Sequence, residues 1–70
     1  FPCGAESCVV ADEYCEVLYP GDRGETMYSC LAIPAACQPE PDCACLDAQG
    51  ISGECSETPE GALQVTIYGA

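Results

Sequence analysis

Two kinds of side chain in this sequence are equipped for chemistry: eight cysteine thiols and twelve carboxylates. There is no histidine and no lysine, and Arg23 is the single basic side chain. Nucleophilic hydrolysis needs a base beside a serine or a thiol, and none is available. A carboxylate pair about 5 to 9.5 Å apart would suit glycoside hydrolysis. Dispersed acids make such pairs by chance, however, and 70 residues leave little room for a substrate cleft. A redox centre at Cys43 and Cys45 would need a strained bridge across one residue, with no cation nearby to lower a thiol pKa. The chain is therefore not read as an enzyme, and neither a catalytic residue nor a cofactor is expected.

Metal binding is the next chemistry to weigh. Structural zinc favours thiolates spaced two to four apart, often with histidine, and the chain has neither CxxC nor histidine. Calcium could draw oxygens from Asp42 and Asp47, or from Glu54, Glu57 and Glu60. It needs six to eight ligands from a loop that bends around it, and no EF-hand or repeat pattern is present. No metal site is expected.

The thiols are then best read as cystines. Cys3, Cys8, Cys15, Cys30, Cys37, Cys43, Cys45 and Cys55 are even in number and scattered along the chain. This density marks a scaffold stapled in an oxidising compartment. The large apolar side chains are few: Phe1, four tyrosines, Met27, four leucines, three isoleucines and four valines. Four bridges at about 2 to 4 kcal/mol each supply what so small a core lacks, mostly by restricting the unfolded chain. Eight cysteines allow about 105 connectivities, and spacing alone selects none.

Charge narrows the partners. The formal net charge is -11, which disfavours nucleic acid and anionic membrane surfaces. Solubility is the plain reading of these dispersed acids, and a basic partner the sharper one. The sequence opens at Phe1 without an initiator methionine, as expected of a secreted chain whose signal peptide has been removed. No apolar run approaches the ~18 residues of a membrane span.

The elements that must position these groups are short. Tyr14 to Tyr19 and Thr26 to Leu31 are rich in strand formers, and Pro20-Gly21-Asp22-Arg23-Gly24-Glu25 between them is dense in turn residues, which predicts a β-hairpin. Cys15, Val17 and Tyr19 share one face of its first strand, and Tyr14, Glu16 and Leu18 the other. Neither face is cleanly polar, as in a sheet covered on both sides. Pro34 to Cys37 suits one helical turn entered at proline. Asp42 is a candidate N-cap for Cys43 to Ala48, with Gly50 placed to stop that helix. Thr58-Pro59-Glu60-Gly61 fits a type I turn joining residues 54–57 to residues 62–68 as a second hairpin. The expected fold is a small disulfide-rich, β-rich domain over 1–70, with two β-hairpins, one or two short helical turns and four disulfides.

Two surfaces attract attention. In the terminal strand Leu63, Val65 and Ile67 alternate with Gln64, Thr66 and Tyr68, and no residue from Ala62 to Ala70 is charged. Such a strand is either internal to a sheet or an edge open to a neighbour. Together with Phe1 it is a candidate interface for self-assembly. Arg23, on the hairpin loop, is a candidate contact for the specificity pocket of a trypsin-like protease, or a solvated turn residue. Arg23-Gly24-Glu25 is not an RGD tripeptide, because glutamate is one methylene longer than aspartate.

From Cys15 onward the cysteines are separated by fourteen, six, five, one and nine residues, a spacing similar to that of an EGF-like module. That resemblance implies the pairs Cys15 with Cys37, Cys30 with Cys43, and Cys45 with Cys55, leaving Cys3 with Cys8. The sequence departs from the pattern in having Ile51 where an aromatic is usual, and in its strand after Cys55. The whole chain more closely resembles small secreted cysteine-rich proteins and lipoproteins of myxobacteria-like bacteria. Cys3-Gly4, Asp12-Glu13-Tyr14-Cys15, Ile33-Pro34-Ala35-Ala36-Cys37, Pro41-Asp42-Cys43-Ala44-Cys45-Leu46 and Leu63-Gln64-Val65-Thr66-Ile67 carry the likeness. It implies secretion and a surface location, with no activity attached. Nine alanines beside an absence of lysine and asparagine agree with a GC-rich bacterial genome. Hydrophobin, whey-acidic and lipid-transfer patterns each need adjacent cysteines, and none occur here.

The reading that follows is an extracellular structural or interaction module, secreted or at the cell surface, expected as a self-assembling subunit of a fibre or coat. Its partner would be itself, as a homopolymer, or another extracellular protein, with no nucleic acid and no membrane span. The alternative is a secreted protease inhibitor or toxin-like ligand presenting Arg23.

Overall fold

The computed structural model describes residues 1–21 and 24–69. Six strands build two sheets. Strands β1 (Pro2–Cys3) and β2 (Glu6–Ser7) pair antiparallel as a miniature hairpin. Strands β3 (Glu13–Tyr19), β4 (Met27–Ala32), β5 (Glu54–Glu57) and β6 (Leu63–Tyr68) form a four-stranded sheet in the order β4-β3-β6-β5. β3 and β4 are one antiparallel hairpin and β5 and β6 another. The two meet through parallel pairing of β3 with β6. This is a small disulfide-rich β fold containing both hairpins expected from the sequence, with β1-β2 added.

The sheet is covered on both faces, as the mixed polarity of β3 implies. On one face Tyr14, Leu63 and Val65 are buried with Ile33, Cys37 and Leu46, and Leu31, Ile51, Cys55 and Ile67 pack around them. The segment leading from edge strand β4 to edge strand β5 crosses this face. It contains a 3-10 turn, Ala35–Cys37, entered at Pro34, and one short helix, α1 (Cys43–Ala48). The Asp42 carboxylate accepts the Cys45 N–H at 2.8 Å, capping α1 as its sequence requires. Gly50 follows the helix at φ +84°, a left-handed stop that glycine adopts without a Cβ clash. Leu46, fully buried, is the helix's contribution to the core.

On the opposite face Cys15 and Val17 are buried beneath Cys3 and Cys8, with Phe1 and Cys30 beside them. The lid here is β1-β2. Its turn at Gly4 has φ +63°, and a Cβ there would lie 2.3 Å from the Tyr28 ring. The missing side chain is what lets Tyr28 lie against the turn.

The C-terminal strand differs from one of its two expected roles. β6 lies between β3 and β5, so it is an internal strand and its backbone is paired on both sides. Leu63 and Val65 are core residues and Ile67 packs against the same cluster. Leu63 and Val65 are thus covered from within the chain, and Ile67 is half-buried. Phe1 likewise packs into the cysteine cluster. The physical reason is that an uncharged strand with one apolar face gains more by lying between the two hairpins, with that face in the core, than by exposing a rim.

Candidate functional site

The cysteines form four bridges: Cys3–Cys15, Cys8–Cys30, Cys37–Cys45 and Cys43–Cys55. None of the pairs implied by the EGF-like spacing is among them. The connectivity follows from the two lids. Two bridges tie β1-β2 to β3 and β4, one fastens the 3-10 turn to α1, and one fastens α1 to β5. Cys43 and Cys45, adjacent but one in sequence, diverge because consecutive helical positions point along different directions. The sulfurs of Cys3, Cys8 and Cys30 lie within 4.8 Å of one another. This cluster is two bridges packed side by side, with every sulfur already bonded to another.

The acids flagged for calcium are dispersed. Asp42 is engaged as the helix cap, Asp47 is exposed on α1, Glu54 and Glu57 sit on β5, and Glu60 lies in the turn where Gly61 N–H donates to Thr58 O at 2.9 Å. Among the described residues no three carboxylates gather closely enough to share an ion. Arg23, the candidate loop contact, lies outside the described residues, in the connection between β3 and β4.

Among the described residues, Tyr14 is the one side chain whose ionisation is shifted. Burial raises its phenol above the ordinary tyrosine value, and the negative charge of Glu16 adds to the effect. Its neighbours are core residues, which makes it a structural group.

What remains is a sheet with two unequal edges. At the β4 edge, Ile33 N–H donates to Asp12 O at 2.8 Å, which continues the β3-β4 register and fixes its alternation. Leu31, Ser29 and Met27 exchange hydrogen bonds with β3, while Tyr28, Cys30 and Ala32 turn their N–H and C=O groups outward. Among the described residues, no hydrogen bond reaches those outward groups. β4 contains six residues, Met-Tyr-Ser-Cys-Leu-Ala, with neither a charge nor a proline. Met27 and Tyr28 are exposed on it, at 59% and 40%.

The β5 edge is built differently. It has four residues, two of them Glu54 and Glu57. Short length and charge are among the ordinary means by which a sheet edge is kept from pairing with another chain. β4 has neither, while a proline follows each edge strand at the same offset, Pro34 after Ala32 and Pro59 after Glu57. Sequence reading located β4 as a strand but had no means to rank the edges, because edge status depends on where β6 inserts. No family model matches this chain, and neither a curated protein nor a solved structure matches it.

Proposed function

We propose that this chain is a secreted, extracellular interaction module that binds by accepting an added strand along β4. The observation that supports this is the contrast between the two edges: β5 is short and acidic, whereas β4 offers six uncharged residues, of which Tyr28, Cys30 and Ala32 turn their backbone groups outward. Strand addition draws affinity from main-chain hydrogen bonds and selectivity from alternate side chains. A rigid platform favours it, since four bridges hold both lids and little ordering entropy remains to oppose binding. A second copy seated on β4 would give a self-assembling subunit of the fibre or coat kind, and a foreign segment would give a receptor for another extracellular protein.

The test uses an extended peptide of alternating threonine and valine carrying no charge. Amide hydrogen exchange is followed by NMR with and without it. Slowed exchange at Tyr28, Cys30 and Ala32, with Cys55 and Glu57 unchanged, is the expected result. Absence of protection along β4, with peptide in large excess, overturns strand addition.

A further inference from the structure

We infer that the segment β4 accepts is cationic: an extended stretch of a partner protein in which lysine or arginine alternates with apolar residues. This inference rests on the strand-addition reading and adds the chemistry of the partner.

β4 itself is neutral, yet acids frame it. Glu16 is the register partner of Ser29, and Glu13 that of Ala32. Glu6 is exposed on β2, which packs against β4 on the face of the N-terminal lid. Glu25 is exposed two residues before the strand begins. Glu16 and Glu13 belong to opposite faces of β3, so an incoming strand meets negative charge above and below the sheet.

An added strand lies about 4.8 Å beyond β4 and about 10 Å from β3. A lysine or arginine side chain reaching in and a glutamate side chain reaching out together bridge the second distance, and the intervening Ser29 and Ala32 are too small to obstruct them. Exposed Tyr28 offers a ring face to the same cations. At these separations the attraction acts within about one Debye length at moderate salt.

Charge complementarity also decides between occupants. A second copy would bring the same framing acids and a net charge of -11, with Arg23 as its one basic side chain. Those acids stand one strand back on either side of such a joint, and the two net charges repel each other. A basic segment instead neutralises the frame, while the neutral strand between leaves the backbone pairing unhindered.

Three peptides of one alternating design, with lysine, glutamine or glutamate at every second position, provide the probe. Fluorescence anisotropy gives Kd for each, and the exchange rates of Tyr28, Cys30 and Ala32 locate binding. The lysine peptide is expected to bind about tenfold tighter than the glutamine peptide at low salt, an advantage lost as NaCl rises. Glu16→Gln with Glu6→Gln should shrink that advantage without changing Kd for the glutamine peptide. Ala32→Pro, which removes one outward N–H, should weaken every peptide, and Glu57→Pro on the other edge none. Equal Kd for the lysine and glutamine peptides would overturn the cationic partner while leaving strand addition standing. Protection of the three amides without any peptide, appearing as protein concentration rises, would overturn it in favour of a second copy. If no peptide binds or protects β4, the strand-addition reading itself fails. The exchange measurement on the native chain holds even if Ala32→Pro does not fold.

Discussion

The rings of Tyr19 and Tyr68 stack with centroids 5.3 Å apart and planes within 12° of parallel, and the two residues are register partners on the parallel strands β3 and β6. They lie on the face covered by the N-terminal lid, past the reach of its cysteine cluster, and both are exposed. Immediately beyond them Gly69 N–H donates to Tyr19 O. The stack and this hydrogen bond close the end of the parallel pair, where no bridge acts.

Tyr68→Ala should therefore loosen the end of the sheet without unfolding it. An aromatic pair adds about 0.5 to 1.5 kcal/mol beyond its area, and exposure of Tyr68 places the loss toward the lower end. Denaturant unfolding measures the change, and faster amide exchange at Gly69 locates it. An unchanged exchange rate at Gly69 would show that the stack does not hold the strand end.

Val65 and Thr66 are neighbours in sequence on opposite faces of β6. Val65 is 1% exposed in the core cluster, so Val65→Asp buries an unpaired charge and should cost several kcal/mol. Thr66 is half-buried and directly opposite Glu54. Thr66→Asp sets like charges across the pair and should cost no more than about 1 kcal/mol. Comparable losses in the two variants would refute the alternation.

The bridge map is directly checkable. Intact mass should fall about 8 Da on oxidation, two hydrogens for each bridge, and peptide mapping without reduction should recover Cys3–Cys15, Cys8–Cys30, Cys37–Cys45 and Cys43–Cys55. Removing Cys8–Cys30, with a sequence separation of 22, should destabilise more than removing Cys37–Cys45, with a separation of 8. Loop entropy puts the difference near about 1 kcal/mol. Recovery of a Cys45–Cys55 peptide would contradict the assignment.

Stability should fall in alkali through Tyr14. Its phenol is raised in the folded chain, so between the unfolded and folded values the folded state holds the extra proton. The corresponding stabilisation is complete below about pH 10, the unfolded value, and is lost as pH rises through the folded one. Tyr14→Phe should flatten this limb of the stability curve measured by urea titration. A limb of unchanged slope in that variant would assign the alkaline loss to other groups.

Much of the local structure was legible because short-range chemistry decides it. Pro34 entering a helical turn, Asp42 capping α1, Gly50 ending it and the 58–61 turn each depend on residues within one turn of the chain. The β1-β2 hairpin was missed because two-residue strands carry no periodicity, and Gly4 was its only signal. The parallel pairing of β3 with β6 and the bridge connectivity join residues far apart in sequence, where periodicity is silent. The stripe Leu63, Val65 and Ile67 carried no signal of what covers it, because an apolar stripe reads alike whether its cover is another subunit or α1. β4 was identified as a strand, but its standing as the unguarded edge depends on β6 taking the inner place.

That inner place also sets an order of events in time. β6 follows the other described strands, yet it joins the two hairpins, so the four-stranded sheet is complete only when β6 is in place. Cys3–Cys15 and Cys8–Cys30 need only the first 30 residues and can close while β3 still lacks its second neighbour. A chain whose first 30 residues have reached an oxidising compartment can hold those two bridges while β3 is still a second open edge. Non-local strand pairing is slow compared with local hairpins, so closure of the N-terminal pair need not wait for β6 to dock.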